Sequence, residues 1–308
     1  MKFYLAPMEG LTTYIYRTAY HRYFHPMDKY FTPFIVPHIN KDFNSREKNE
    51  ILPEHNRGQN LIPQILTNNA ADFLRTANAL RKFGYEEVNL NLGCPSKTVV
   101  SKGRGSGFLA KTQELDQFLD TIFSETDINV SIKTRIGKDS SEEFYELITI
   151  FNKYPLTELI VHPRTQQDFY KNKPNLDIFA DTLKLCRHHI CYNGHILTRE
   201  DYINFVERFP SVDTLMVGRG ILGNPGLLND ILKQKPVDID TLRMFHDELY
   251  ANYQGIFSGD RNVLFKMKEL WSYMIQLFPE SEKYAKKIRK SERLWQYERA
   301  VSDLFSLT

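Results

Sequence analysis

The chain has 308 residues, 42% hydrophobic and 25% charged, which is ordinary for a globular protein and allows one large domain or two moderate ones. Forty Lys and Arg against 38 Asp and Glu leave a formal charge of +2, which excludes a uniformly basic nucleic-acid binder but not a local basic patch. No apolar run approaches the roughly 18 residues of a membrane helix, Glu9 arrives too early for a signal peptide, and three cysteines make no disulfide framework, so a soluble cytoplasmic protein is expected.

In chain order, short apolar runs at 3–8, 30–36, 61–66, 88–92, 130–134, 159–162, 190–192 and 214–217 alternate with helical spacing at 70–83, 114–123, 142–154, 176–187 and 199–209. The runs are rich in Val, Ile, Leu, Phe and Tyr and bounded by Gly, Pro, Asn or Asp, the pattern of strands buried on both faces. Eight such runs over about 230 residues predict an α/β fold of the (β/α)8 TIM-barrel type rather than an open doubly wound sheet. After Pro236 the pattern changes to helical periodicity at 242–253, 263–277, 281–289 and 291–304. This divides the chain into a catalytic barrel over 1–235 and a small C-terminal helical-bundle domain over 236–308; helices that only decorate the barrel are the alternative.

In such a barrel the C-terminal strand ends carry the chemistry. Here they read Pro7-Met8-Glu9, Gln64, Asn91 ahead of Gly93-Cys94-Pro95, Lys133 with Arg135, His162 with Arg164, Asn193-Gly194-His195 and Gly218-Arg219-Gly220. So many polar groups at buried strand ends need partners. The glycines of the last two segments let backbone N–H groups approach an anion where barrels commonly bind phosphate, and Arg219 adds a bidentate contact; two ordinary turns are the alternative. Lys133, if inward-facing, needs a partner such as an anion or an electron-rich ring; a surface lysine on a frayed strand end is the alternative. Cys94 has no adjacent acid–His pair to activate it, so a protonated thiol acting as general acid fits better than a nucleophile, with a buried filler as the plain reading.

The segment Lys102-Gly103-Arg104-Gly105-Ser106-Gly107 lacks the GK[ST] of a phosphate-binding loop and the strand context of a dinucleotide fingerprint. It reads as a mobile basic loop at the site mouth. Cys186, His188, His189 and Cys191 match no usual zinc spacing, and no metal is expected. Near the end of the chain, Lys283, Lys286, Lys287, Arg289, Lys290 and Arg293 face only Glu292, flanked by Tyr284 and Trp295, with Lys266 and Lys268 upstream. Cations interleaved with aromatics suit a surface that tracks phosphates, although a solvated helix face has the same composition.

APMEG, NLNLGCPSKTV, the glycine segment, SIKTRIG, IVHPRT, YNGHI and MVGRGILGNP follow one another over the first 225 residues. This set resembles the tRNA-dihydrouridine synthase family, flavin enzymes with a (β/α)8 barrel and a C-terminal helical domain, and most resembles the bacterial branch acting on tRNA uridine 16. The resemblance implies NADPH-dependent reduction of a uridine C5=C6 bond in tRNA, with FMN as cofactor, by a monomer without membrane or stable protein partners. It implies flavin contacts from Pro7, Met8, Glu9, Gln64, Lys133 and His162, and a phosphate cradle from Asn193, Gly194, His195, Gly218 and Arg219. Hydride would reach uracil C6 from reduced FMN and a proton would reach C5 from Cys94, with Asn91 on the target base. Lys266, Lys268 and Arg289 match tRNA-contacting cations; Lys102, Arg104, Arg135, Arg164, Lys286 and Lys290 complete the expected substrate-binding set. The chain departs from the family at His195, where an acid is usual, at Pro163 in place of glycine, and at Pro33-Phe34-Ile35 in place of a Glu-Phe-Arg type of segment. An FMN barrel reducing a small pyrimidine or enone, and an RNA-binding barrel without catalysis, are the alternatives.

Overall fold

The computed structural model describes residues 1–278 and 281–307. Its strands are β1 (Lys2–Leu5), β2 (Lys29–Phe31), β3 (Leu61–Ile62), β4 (Gln64–Ile65), β5 (Glu87–Leu92), β6 (Asn129–Arg135), β7 (Leu159–His162), β8 (Ile190–Tyr192) and β9 (Thr214–Val217). All pair in parallel, in the order β3-β2-β1-β9-β8-β7-β6-β5-β4. β3 and β4 are one strand interrupted at Pro63, which has no N–H to offer a ladder. The Pro63 carbonyl still accepts from Asn89 N at 2.9 Å. With β3 on β2 and β4 on β5, the sheet closes into the expected barrel.

Proline also shortens the second strand. The run at 30–36 reads as one strand, but β2 stops at Phe31 and, beyond Pro33, Ile35 rejoins the sheet only through a bridge to Ile65.

The helices are α1 (Tyr14–Tyr23), α2 (Ser45–Ile51), α3 (Ala70–Arg81), α4 (Lys97–Val100), α5 (Thr112–Glu125), α6 (Glu143–Phe151), α7 (Leu176–Leu185), α8 (Arg199–Arg208), α9 (Arg219–Gly223), α10 (Leu227–Lys233), α11 (Ile239–Ile256), α12 (Asp260–Met274), α13 (Ser281–Lys290) and α14 (Leu294–Phe305). Polar caps start several of them: Asn69 accepts from Asp72 N, and Thr198 with Asp201 forms a capping box on α8. The longer ones bury an apolar face, as Phe73, Ala77 and Leu80 do on α3.

Inside the barrel, Tyr4, Ala6, Phe31, Ile62, Ile160, Cys191 and Met216 fill the bore. Its N-terminal floor is ionic: Lys29 pairs with Glu87 at 2.8 Å, and His189 bridges Glu158 and Asp213 at 2.8 and 2.7 Å. His189 is thereby spent on the floor, Cys191 on the bore and His188 on the Phe151 carbonyl, so the C-x-H-H-x-C side chains diverge.

The C-terminal helices pack on α1, where Phe245 meets Tyr16 and Phe24 edge to face at 5.5 and 5.2 Å. Tyr297 ties α14 into the bundle by accepting from Trp271 Nε1 at 2.8 Å and pairing with His246 Nε2 at 2.7 Å. Among the described residues, no helix is long and apolar enough to cross a membrane.

Candidate active site

A 250 Å³ cleft opens at the C-terminal strand ends, with Met8, Asn91, Cys94, Lys133, Arg135 and His162 in its wall. Cys94 leaves β5 on a turn held from below. Asn91 Oδ1 accepts from Gly93 N at 3.0 Å and Cys94 N at 2.9 Å. Asn91 Nδ2 donates to Gln64 Oε1 at 2.7 Å, Gln64 Nε2 to Asn89 Oδ1 at 2.8 Å, and Asn89 Nδ2 to Ser131 Oγ at 3.0 Å. This amide chain crosses three strands and fixes Cys94 at the rim. It also changes two expected roles: Gln64 is fully buried and reaches the cleft only through Asn91, and Asn91 spends its carbonyl oxygen on the Cys94 turn.

Burial pushes the Cys94 thiol pKa upward against the opposing Ser96 N–H and the Arg135 and Lys133 charges. The thiol therefore stays protonated at neutral pH and is a proton donor in waiting.

The glycine segment is not the open loop expected. Gly105–Phe108 is a buried 3₁₀ turn beneath Cys94, with Ser106 N and Oγ donating to the Cys94 carbonyl at 3.1 and 2.9 Å. Gly105 has φ +56°, and a Cβ there would lie 2.8 Å from the Cys94 oxygen. Only Lys102 remains exposed; Arg104 is half-buried, with Nε on Asn68 at 3.3 Å.

Lys133 and Arg135 line the cleft, and the charges of Arg164 and Arg219 also act on His162 in its wall. Lys133 lies on β6, and burial followed by the Arg135 charge pulls its pKa down to about 7. Arg135 donates to the carbonyls of Gly93, Thr165 and Phe169 at 2.9, 2.7 and 2.9 Å, so it staples three loops. Arg164 donates to Asn172 O at 2.6 Å and to His162 Nε2 at 2.8 Å. Both arginines, expected at the substrate, are internal fasteners, 1% and 2% exposed. A guanidinium only donates, so His162 Nε2 accepts and its proton sits on Nδ1. Burial and the surrounding cations hold His162 neutral, far below its usual range.

Arg219 makes no ion pair or hydrogen bond among the described residues and lies over the Tyr170 ring at 4.7 Å. None of Lys133, Arg135, Arg164 and Arg219 has a carboxylate in ion-pair reach among the described residues. Asp168, which acts on Arg135 and Arg164, is spent on Thr165 N and Oγ1 at 2.7 and 2.9 Å.

Lys133 gives a measurable consequence. The unfolded chain keeps this proton to about 10.4, whereas the folded protein releases it near 7. Between those values the unfolded state binds more protons, so stability rises with pH. Without flavin, wild type should gain about 1–2 kcal/mol over Lys133→Met between pH 7 and pH 9 in urea titrations; parallel pH profiles would place the ammonium in water.

The two glycine-bearing loops beside Arg219 are closely packed. Asn193 Nδ2 anchors its loop to Met216 O at 2.8 Å. A Cβ on Gly194 would fall 2.0 Å from the Tyr192 hydroxyl, and one on Gly220 2.2 Å from Ile196 O, so both segments must be glycine. His195 is exposed on this loop, and Gly218 sits against Ala6 and Met8. Gly194→Ala should yield protein without visible flavin absorbance; a yellow variant would free Gly194 from this role.

Two residues of the cleft wall were not among the expected site residues, Phe34 having stood out only as part of the Pro33-Phe34-Ile35 departure. Phe34 lines the cleft from a proline-broken run. Tyr170 sits between Arg135 and Arg219, presented by Phe169 at φ +48°, a rare conformation for an aromatic residue that Arg135 holds through the Phe169 carbonyl.

The helical cations divide. Lys266 Nζ donates to Gly10 O at 2.5 Å and pairs with Glu269 at 2.8 Å, and Lys268 Nζ donates to Ser291 O, so both expected RNA contacts are structural ties. Lys286, Arg289 and Lys290 stay exposed on α13.

The family model for dihydrouridine synthase (Dus) matches residues 4–305. A probable tRNA-dihydrouridine synthase 2 of Bacillus subtilis (strain 168) is 26% identical over 261 residues, covering 82% of this chain and 78% of that protein. A probable tRNA-dihydrouridine synthase of Staphylococcus aureus (strain MRSA252) is 26% identical over 264 residues with the same coverage. Among solved structures, TcOYE with pHBA superposes with a TM-score of 0.58 at 10% identity, covering 84% of this chain and 96% of that one. A morphinone reductase mutant in complex with tetrahydroNAD gives 0.54 at 10% identity, covering 78% and 89%. The chain therefore belongs to the dihydrouridine synthase family and is a flavin-dependent oxidoreductase.

Proposed function

We propose that the protein binds FMN and, with NADPH as electron donor, reduces the C5=C6 bond of a uridine in tRNA. The observation that carries this reading is a cleft lined by Lys133 without a carboxylate counter-ion among the described residues, with Arg219 nearby equally unpaired and a protonated Cys94 at the rim. Such a cleft calls for an anionic, electron-rich ligand. Backbone amides of Gly194 and Gly218–Gly220, with Arg219, would hold the FMN phosphate, and Lys133 and neutral His162 would face its ring system. Bound flavin supplies the hydride that adds at uracil C6.

The chain supplies the proton. As negative charge grows toward C5 and O4, the Cys94 Sγ–H bond breaks and the proton passes to C5. The thiolate left behind is met by Ser96 N–H and by the Lys133 and Arg135 charges, the groups that pull its pKa down. Charge growing on the bound ligands also draws Lys133 back to its ammonium form.

The names of both bacterial relatives point to tRNA, and the exposed run Lys286, Arg289 and Lys290 suits its phosphates. A base inside a barrel mouth must leave its stack, so an RNA loop is the fitting substrate. Uridine 16 is the position to examine first, in a cytoplasmic monomer. Mapping dihydrouridine in tRNA from a strain lacking the protein tests the reading: one missing dihydrouridine supports it. An unchanged map with reduction of free pyrimidines, or a colourless preparation, overturns it.

A further inference from the structure

Three cavities run end to end from the candidate active site along the seam between the barrel and the C-terminal helices. The cleft at Cys94 shares Phe34 with a second cavity of 380 Å³. That cavity shares Tyr14, Ile15 and Ile256 with a third of 320 Å³. The middle cavity is walled by Phe34 and Tyr14 on the barrel side and by Ile256 and Phe257 at the end of α11. Ile256 is 51% exposed, and Tyr14 is braced by His55, the rings parallel at 4.5 Å.

Cations along the seam are already neutralised. Arg46 pairs with Glu9 at 2.6 Å, Lys266 with Glu269 at 2.8 Å and Arg22 with Glu248 at 2.6 Å. A seam whose charges cancel gains little from phosphates, whereas a flat uncharged ring gains by covering its aromatic and aliphatic walls. The Asn49 side chain makes no hydrogen bond among the described residues and offers both a donor and an acceptor at the cavity edge.

We propose that the middle cavity receives the unpaired nucleobase adjacent to the uridine being reduced. This rests on the reading of an RNA uridine as substrate. A uridine that leaves its stack uncovers the face of its neighbour. The seam starts at Phe34, in the wall of the cleft the uridine must enter, so the neighbour can be covered by protein. The cavity then sets which loop sequences are accepted, while the basic face of α13 serves the backbone.

The test is a double-mutant cycle with flavin-loaded full-length enzyme and tRNA carrying an abasic nucleotide directly 5′ or directly 3′ of the reduced uridine. One of the two abasic RNAs should lower wild-type kcat/KM about tenfold, and Ile256→Asp should lower it by a similar factor on intact tRNA. Together they should cost no more than either alone. Ile256 is half exposed, so melting should be unchanged; if the aspartate variant is unstable, Ile256→Ala takes its place. Losses that multiply, or no loss at either flank, would overturn the proposal while dihydrouridine still forms. Failure of wild type to form dihydrouridine on intact tRNA would overturn this proposal and the functional reading together.

Discussion

Cys94→Ala should keep its flavin colour and its fold while uridine reduction falls by about a thousandfold, the range for loss of a positioned general acid. The side chain stands at the rim, and none of the hydrogen bonds that hold its turn uses the Cys94 side chain. The substitution therefore removes the proton donor without loosening the turn. NADPH oxidation without RNA should persist, since no part of that half-reaction needs the thiol. Because burial raises the Cys94 pKa, the donor form survives into alkaline solution. Activity limited by this group should decline only above the ordinary thiol range. Wild-type rates for the alanine variant, measured as dihydrouridine formed per flavin, would sink the general-acid assignment.

Arg135→Met should be the most damaging single change near the cleft, with about 3–5 kcal/mol lost in urea unfolding. Its guanidinium is the donor to the carbonyls of Gly93, Thr165 and Phe169, and methionine would leave those accepting groups without it. The Gly93 contact lies beside Cys94 and the Phe169 contact beside Tyr170, so turnover should fall with stability. Arg135→Lys separates the two roles: an ammonium keeps the charge but cannot span three carbonyls. That variant should recover part of the activity and little of the stability. A methionine variant within about 1 kcal/mol of wild type would show that water replaces these bonds.

The barrel was legible because parallel strands are buried on both faces and appear as continuous apolar runs between amphipathic helices. The strand-end residues were legible because polar groups are out of place in such runs. Pro33 and Pro63 were visible, but their effect differed: one ended a strand, while the other was absorbed because its carbonyl still pairs with Asn89. The glycine segment misled because glycine composition reads as freedom. Here glycine is required by close approach, with Val100 O 2.8 Å from where a Gly107 Cβ would sit.

The cations show the boundary most clearly. Arg135, Arg164, Lys266 and Lys268 were chemically recognisable as anion binders, yet their partners are carbonyls and side chains brought near by the fold. Lys266 meets Gly10 across 256 positions of chain. The sequence by itself determined the barrel, the helical tail and the family, because periodicity, residue type and motif order are local properties. Tertiary structure decided which cations are spent on carbonyls and which face the cleft, that Asn91 and Gln64 hold the Cys94 turn, and that Tyr170 and Phe34 belong to the site. Those are questions of hydrogen-bond partner and burial, and both are settled only when distant segments close on one another.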